Sequence, residues 1–293
     1  MPEIFTFILR IILACVLGFA SGCSSGPSKR TTESEGPITA YARNTLASEN
    51  PLGLVRVGEG FERSGNLQGA LNLYGQAMTA DPSLIEAQIA FARIRGLLGD
   101  TEQAITMLTS LLTEHAENVS IRKNIVTVYI AAGELRAARL FIGPLLNNNN
   151  IDIEVLTIAG KLDQALGKGE DARQHFEQAL SLEPTNPEVL RNIGLSFALD
   201  NNYSSAIALI QQSMDQASGI TLGKKALATV YALSGQYQLA LQIARTAMPL
   251  EEANSMHFFY KLLPQLEEQA KAQAVLFGQM PTGPLNLEMG AVK

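Results

Sequence analysis

The chain is constrained first by an interval. Alanine stands at Ala70, Ala104, Ala138, Ala172, Ala206 and Ala240, each 34 residues after the last, and Gly65, Gly99, Gly133, Gly167, Asn201 and Gly235 keep the same step. A fixed period of this size marks tandem pairs of short helices. Each pair is too small to bury its own apolar face, so a core forms only where neighbours stack. The expected fold is an all-α solenoid whose surface is the working part.

Six copies run without insertion or deletion over residues 51–84, 85–118, 119–152, 153–186, 187–220 and 221–254. Position 8 of the copies is small at Gly58, Ala92, Gly160, Gly194 and Ala228, with Val126 the exception. Position 11 is large at Phe61, Tyr129, Phe197 and Tyr231, and position 24 is large at Tyr74, Leu108, Ile142, Phe176 and Ile210. Two antiparallel helices approach closely only where one offers a small residue, so small and large should face each other across each pair. Position 15 should end the first helix in a left-handed residue, which glycine adopts freely and asparagine tolerates. Asp81-Pro82 and Glu183-Pro184 should end second helices, and residues 147–150 end theirs less sharply.

These residues at this step resemble the tetratricopeptide repeat. The resemblance implies a right-handed superhelix of about six helix-turn-helix repeats, its concave face lined by positions 2, 5, 6, 9, 12 and 13 of each first helix. That row is partly basic, and the candidate partner-binding groove is Arg93, Lys123, Asn124, Lys161, Arg191, Asn192 and Lys225. A cation beside an asparagine amide, as at Lys123-Asn124 and Arg191-Asn192, can hold a peptide backbone while reading an acidic group. Glu59, Glu62, Glu86, Glu154 and Glu188 dilute the charge, and Ile158 stands where a clamp for a chain terminus would need asparagine.

The beginning of the chain reads as an export signal. Arg10 precedes an apolar run over residues 11–20, and Ala20, Ser21 and Gly22 lead into Cys23. Each apolar stretch beside Arg10 is shorter than the roughly 20 residues that span hydrocarbon. The stretch resembles a bacterial lipoprotein signal, although Ala20 stands where leucine is most usual. The resemblance implies cleavage after residue 22 and acylation of Cys23, and several acyl chains anchor a protein stably where one does not. With Ser24 following, it implies an outer-membrane location facing the periplasm. Cys15 would leave with the signal, so the mature chain would hold neither a free thiol nor a disulfide.

Residues 23–50 read as a flexible linker reaching on the order of 30 Å, with a short helix possible over residues 38–47. A helix over residues 255–263, a break at Pro264 and a helix over residues 266–277 read as a C-terminal cap, with Gln265, Glu267, Glu268, Gln269 and Lys271 turned to water. Residues 279–293 read as a loose tail.

Other chemistries fail on context. A net charge of −6 and no tryptophan give no basic surface for nucleic acid. Gly22 to Gly26 has the letters of a nucleophile elbow, yet lies in the export segment. Gly167, Gly169 and Ala172 spell a dinucleotide fingerprint, yet follow a helix and have repeat roles. His115, His175 and His257 lack partners at metal-ligand spacing and are expected to face solvent. No cofactor is expected apart from covalent lipid, and residues 255–293 are too few for a catalytic domain.

The lipobox, linker and six repeats, with Phe258-Phe259-Tyr260, Leu262-Leu263-Pro264 and Val275-Leu276-Phe277-Gly278 in the cap, resemble the TadD family of tight-adherence (Flp) pilus lipoproteins. That resemblance implies a non-enzymatic, pilotin-like assembly factor for the outer-membrane secretin. A type IV pilus pilotin and a periplasmic scaffold for cell-envelope enzymes remain open alternatives. Cells fed radiolabelled palmitate should label this protein and lose the label on Cys23→Ser; persistent labelling would remove the lipid anchor.

Overall fold

The computed structural model describes residues 50–147 and 151–279. The export segment, Cys23, the linker with its short helix, and the tail beyond Gln279 lie outside the described residues. Six helical pairs follow one another: α1 (Pro51–Arg63) with α2 (Leu67–Ala80), α3 (Ile85–Leu97) with α4 (Thr101–Glu114), α5 (Val119–Ala131) with α6 (Leu135–Leu146), α7 (Ile153–Ala165) with α8 (Gly169–Leu182), α9 (Pro187–Leu199) with α10 (Tyr203–Ser213), and α11 (Ile220–Leu233) with α12 (Tyr237–Ala244). Then come α13 (Leu250–Leu262), a short 3₁₀ turn (Leu263–Gln265) and α14 (Glu268–Phe277). Among the described residues there is no strand, and no helix is long and apolar enough to cross a membrane.

Local chemistry sets the helix ends. Position 15 has positive φ in all six copies, from +62° at Asn201 to +100° at Gly99, as the left-handed turn requires. Asparagine starts many helices: Asn50, Asn66, Asn118, Asn186 and Asn202 each accept a backbone N–H of the first turn through the side chain. Pro51 and Pro187 occupy the first turn, where their missing N–H costs nothing.

The packing follows the small-against-large expectation. All six period alanines are 0% exposed. A Cβ added at Gly58 would meet Tyr74 at 2.6 Å, one at Gly160 would meet Phe176 at 2.6 Å, and one at Gly194 would meet Ile210 at 2.6 Å. Position 8 therefore seats position 24 of its own copy, and no side chain larger than hydrogen fits at these three crossings.

First helices of successive copies pack on each other from α1 to α3 to α5, and from α7 to α9 to α11, whereas the second helices make no comparable contact with one another. The first helices thus form the inner layer. At the junction of the third and fourth copies the apposition changes, and α6 carries the main contact with α7. Polar groups brace this junction. Asp163 of α7 is fully buried; Arg139 of α6 donates to it from Nε at 2.7 Å, and His175 Nε2 of α8 lies 3.3 Å away. Burial pulls the Asp163 carboxyl upward, but the adjacent His175 imidazole and the Arg139 hydrogen bond outweigh it and hold the group below the ordinary range. His175 is therefore packed on a carboxylate, contrary to the expectation that it faces solvent; His115 and His257 are exposed.

The C-terminal region departs further from expectation. Helix α13 begins at Leu250, inside the sixth copy as delimited by the period, because α12 stops early at Ala244. It covers the end of the stack with Ala253, Tyr260 and Leu262 buried. Helix α14 is not a second layer of that cap. It doubles back and packs on α7 and α9, burying Ala272, Ala274 and Leu276 in the core that runs from Val126 to Leu276.

Gly160→Ala should cost about 1–3 kcal/mol by overpacking Phe176. Gly60→Ala, inside α1, where an added Cβ meets only Arg63 Nη2 at 3.9 Å, should gain about 0.5–1 kcal/mol from helix propensity. Opposite shifts in urea midpoint are the expected readout, and same-sign shifts would contradict the crossing geometry.

Candidate protein-binding groove

The inner layer presents side chains at the positions the repeat pattern assigns to the groove, but their partners divide them into two sets. Over the first three copies the face is open. Val55, Glu59, Glu86, Ile89, Arg93 and Asn124 are among the residues lining a cleft of about 250 Å³ there.

Several cations of the inner face are already matched. Arg93 forks onto Glu62 of the preceding copy, with Nη2 donating to Oε2 at 2.9 Å, and the Tyr74 hydroxyl donates to the same oxygen at 3.0 Å. Burial raises the Glu62 carboxyl, but the Arg93 hydrogen bond and charge, with the Tyr74 hydroxyl, bring it below its ordinary value. Burial and the adjacent carboxylate push the Tyr74 phenol up to about 12. Lys123 donates to Asp152 at 3.0 Å and also to Glu154, tying the third copy to the fourth; Asp152 in turn caps α7. Lys225 donates to Glu252 at 3.0 Å, tying the sixth copy to α13. Asn124, which borders the cleft, donates from Nδ2 to the Ser120 carbonyl at 2.7 Å. Two of the acidic residues read as dilution, Glu62 and Glu154, are thus direct partners of a cation one copy removed.

Lys161, Arg191 and Asn192 belong to the second set. Lys161 Nζ lies 4.7 Å from the centroid of the Phe277 ring of α14, and burial lowers its ammonium below the ordinary range. Arg191 has its nearest carboxylate, Glu188, at 3.9 Å, and burial lowers its guanidinium as well. Asn192 is 3% exposed, and its Nδ2 has no acceptor. The structure therefore does not bring the two cation-asparagine pairs into one continuous groove. Lys123-Asn124 borders the open half, while Arg191-Asn192 sits in the half that α14 crosses.

Two functional features escaped the sequence reading. Asp163 replaces an aromatic at position 11, as does Arg95 in the second copy, and that break in the period was the available signal. For α14 the signal was composition: Ala270, Ala272 and Ala274 give a slender helix that fits a trough, not a surface cap. Among the described residues no group of three His, Cys, Asp or Glu side chains is placed to hold a metal.

Tetratricopeptide-repeat family models match residues 97–162 and 159–219. TPR repeat-containing protein YpiA of Bacillus subtilis is 24% identical over 242 residues, covering 80% of this chain and 56% of its own length. Human Tetratricopeptide repeat protein 7A is 25% identical over 111 residues, covering 38% of this chain and 13% of its own. The chain thus spans about half of the first relative and far less of the second. A tetratricopeptide repeat protein from Parabacteroides merdae superposes with a TM-score of 0.56 at 19% identity, over 80% of this chain and 91% of that one. The fold is that of a tetratricopeptide-repeat solenoid, an architecture that serves protein-protein contact.

Because the folded Glu62 carboxyl titrates below its unfolded value, its contribution is complete above the ordinary glutamate range near ~4.3 and is lost as pH falls through the lowered value. Glu62→Gln should cost on the order of 1 kcal/mol at pH 7, with the gap closing below about pH 4. Urea melts across that range check it, and a gap independent of pH would contradict the ion pair's role.

Proposed function

We propose that this tetratricopeptide-repeat protein is a lipid-tethered, non-enzymatic assembly factor that holds an envelope protein in the inner face of its stack. Among such roles we favour the tight-adherence pilus machinery and the outer-membrane secretin as partner. The observation that carries the binding role is the open cleft over the first three copies, where Asn124 and flanking side chains stand beside apolar Val55 and Ile89. An extended or helical segment of another chain can gain both backbone hydrogen bonds and apolar burial there. The reading of Cys23 as a lipid anchor, with a linker reaching on the order of 30 Å, supports placement beside a membrane. The resemblance of the lipobox and cap segments to TadD supports the pilus pathway.

The reaction asked of such a protein is delivery, not bond chemistry. The anchor confines the search for an insertion site to a surface, and the groove shields apolar segments of a subunit until it assembles. Inter-repeat ion pairs hold the inner face in register, so the partner meets a preorganised surface and less binding energy is lost to ordering.

Deletion of the gene should leave secretin monomers accumulating and heat-resistant multimers depleted on gels; normal multimers would defeat the secretin assignment. Ser120→Trp, an exposed cleft position outside the core, should weaken capture of the secretin at least about ten-fold while stability stays within ~0.5 kcal/mol. Unchanged capture would place the binding surface elsewhere.

A further inference from the structure

Helix α14 lies in the trough over the fourth and fifth copies, the half of the inner face that the open cleft does not reach. From Ala270 onward every residue of this helix is buried or half-buried, so it is embraced on both flanks. Its shape fits. Alanine at three alternate positions lets the helix sit low between α7 and α9, and Leu276 completes the core.

Its charge does not fit. Lys161, under the Phe277 ring, has no carboxylate within 4 Å among the described residues; on α9, against which α14 packs, Arg191 has a Glu188 neighbour at 3.9 Å that is itself 62% exposed, and Asn192 has a buried Nδ2 without an acceptor. The acid of α14, Glu268, is exposed at the opposite end of the helix, beside a cavity bordered by Gly167 and Asn201. Two half-buried cations and a buried amide donor thus have between them one ring face and one distant, solvent-exposed carboxylate. Buried groups of this kind call for an anionic acceptor. The resident helix is also weakly held at its root. It is ten residues long, too short to persist alone, and it joins α13 through the turn at Pro264 and the extended residues Leu266 and Glu267.

From this match of shape and mismatch of charge we infer that the trough over the fourth and fifth copies is a binding site for a partner's helix carrying a carboxylate next to an aromatic residue, with α14 the resident it replaces. The inference rests on the groove reading above and names its partner chemistry: small residues along the buried face, an aromatic over Lys161, and a carboxylate for Lys161, Arg191 and Asn192. Loss of α14 from the trough then reports partner arrival.

The test uses the purified full chain and two labelled peptides copying residues 266–277, one ending in a free carboxylate at the phenylalanine and its amidated twin. The free acid should bind at least about ten-fold tighter than the amide and should speed deuterium uptake in residues 268–277 of the chain. Lys161→Met with Arg191→Met should erase the difference between the peptides while leaving the amide's affinity in place. Ala274→Lys, which unseats α14, should tighten both, and Leu276→Ser serves if that variant does not fold. Equal binding of acid and amide, or no binding even to the unseated chain, would overturn the inference. Peptide exchange in a strain whose secretin multimers ignore this protein would sink the secretin reading alone; absent exchange beside a normal secretin dependence would sink this one alone.

Discussion

Everything in this structure depends on two helices being able to touch at one point per repeat. Gly58 against Tyr74, Gly160 against Phe176 and Gly194 against Ile210 place a backbone where a ring or branched side chain needs room, and the fully buried alanines fix the facing helix at the same depth. Dispersion falls away steeply with separation, so even a small gap forfeits much of the contact. Because the approach recurs every 34 residues, each pair presents its neighbour with the same apolar face. The stack becomes a single core assembled from units that have none of their own.

Charge then fixes what close packing leaves loose. The inner face is lined by long side chains, and on an isolated helix Arg93, Lys123 and Lys225 would simply extend into water. In the stack each meets a carboxylate of an adjoining unit: Glu62, the Asp152 and Glu154 pair, and Glu252. Exposed ion pairs contribute little singly, but these span junctions between copies and so set register along the groove. The junction where the first helices part, between the third and fourth copies, carries the most such bracing, with Lys123 on the inner face and the buried Asp163, Arg139 and His175 group behind it. Under α14 this pairing fails at Lys161, which has a ring face in place of a carboxylate.

Much of the fold was legible in the chain. The first helices end where the period and the left-handed position put them, because these are local effects settled within a few residues. The surface row was legible as a list of residues but not as a site. Arg93 and Lys161 occupy the same repeat position, yet one forks onto a carboxylate and the other lies under an aromatic ring, because their neighbours come from other copies and from the C-terminal helix. Asp163 was visible as a missing aromatic, although nothing adjacent in sequence names Arg139 as its partner.

The amino-acid sequence by itself determined the repeating unit, the number of copies, the handover from first to second helix and the alternation of small and large at most crossings. Each of these follows from contacts inside a span of one or two copies, where spacing along the chain and spacing in space are nearly the same quantity. Tertiary structure decided which cations are neutralised, where the inner layer changes its apposition, and that the last helix returns into the trough instead of closing the stack. Those outcomes join residues up to four copies apart, and the competition among apolar burial, desolvation and pairing is resolved only when every face has been placed.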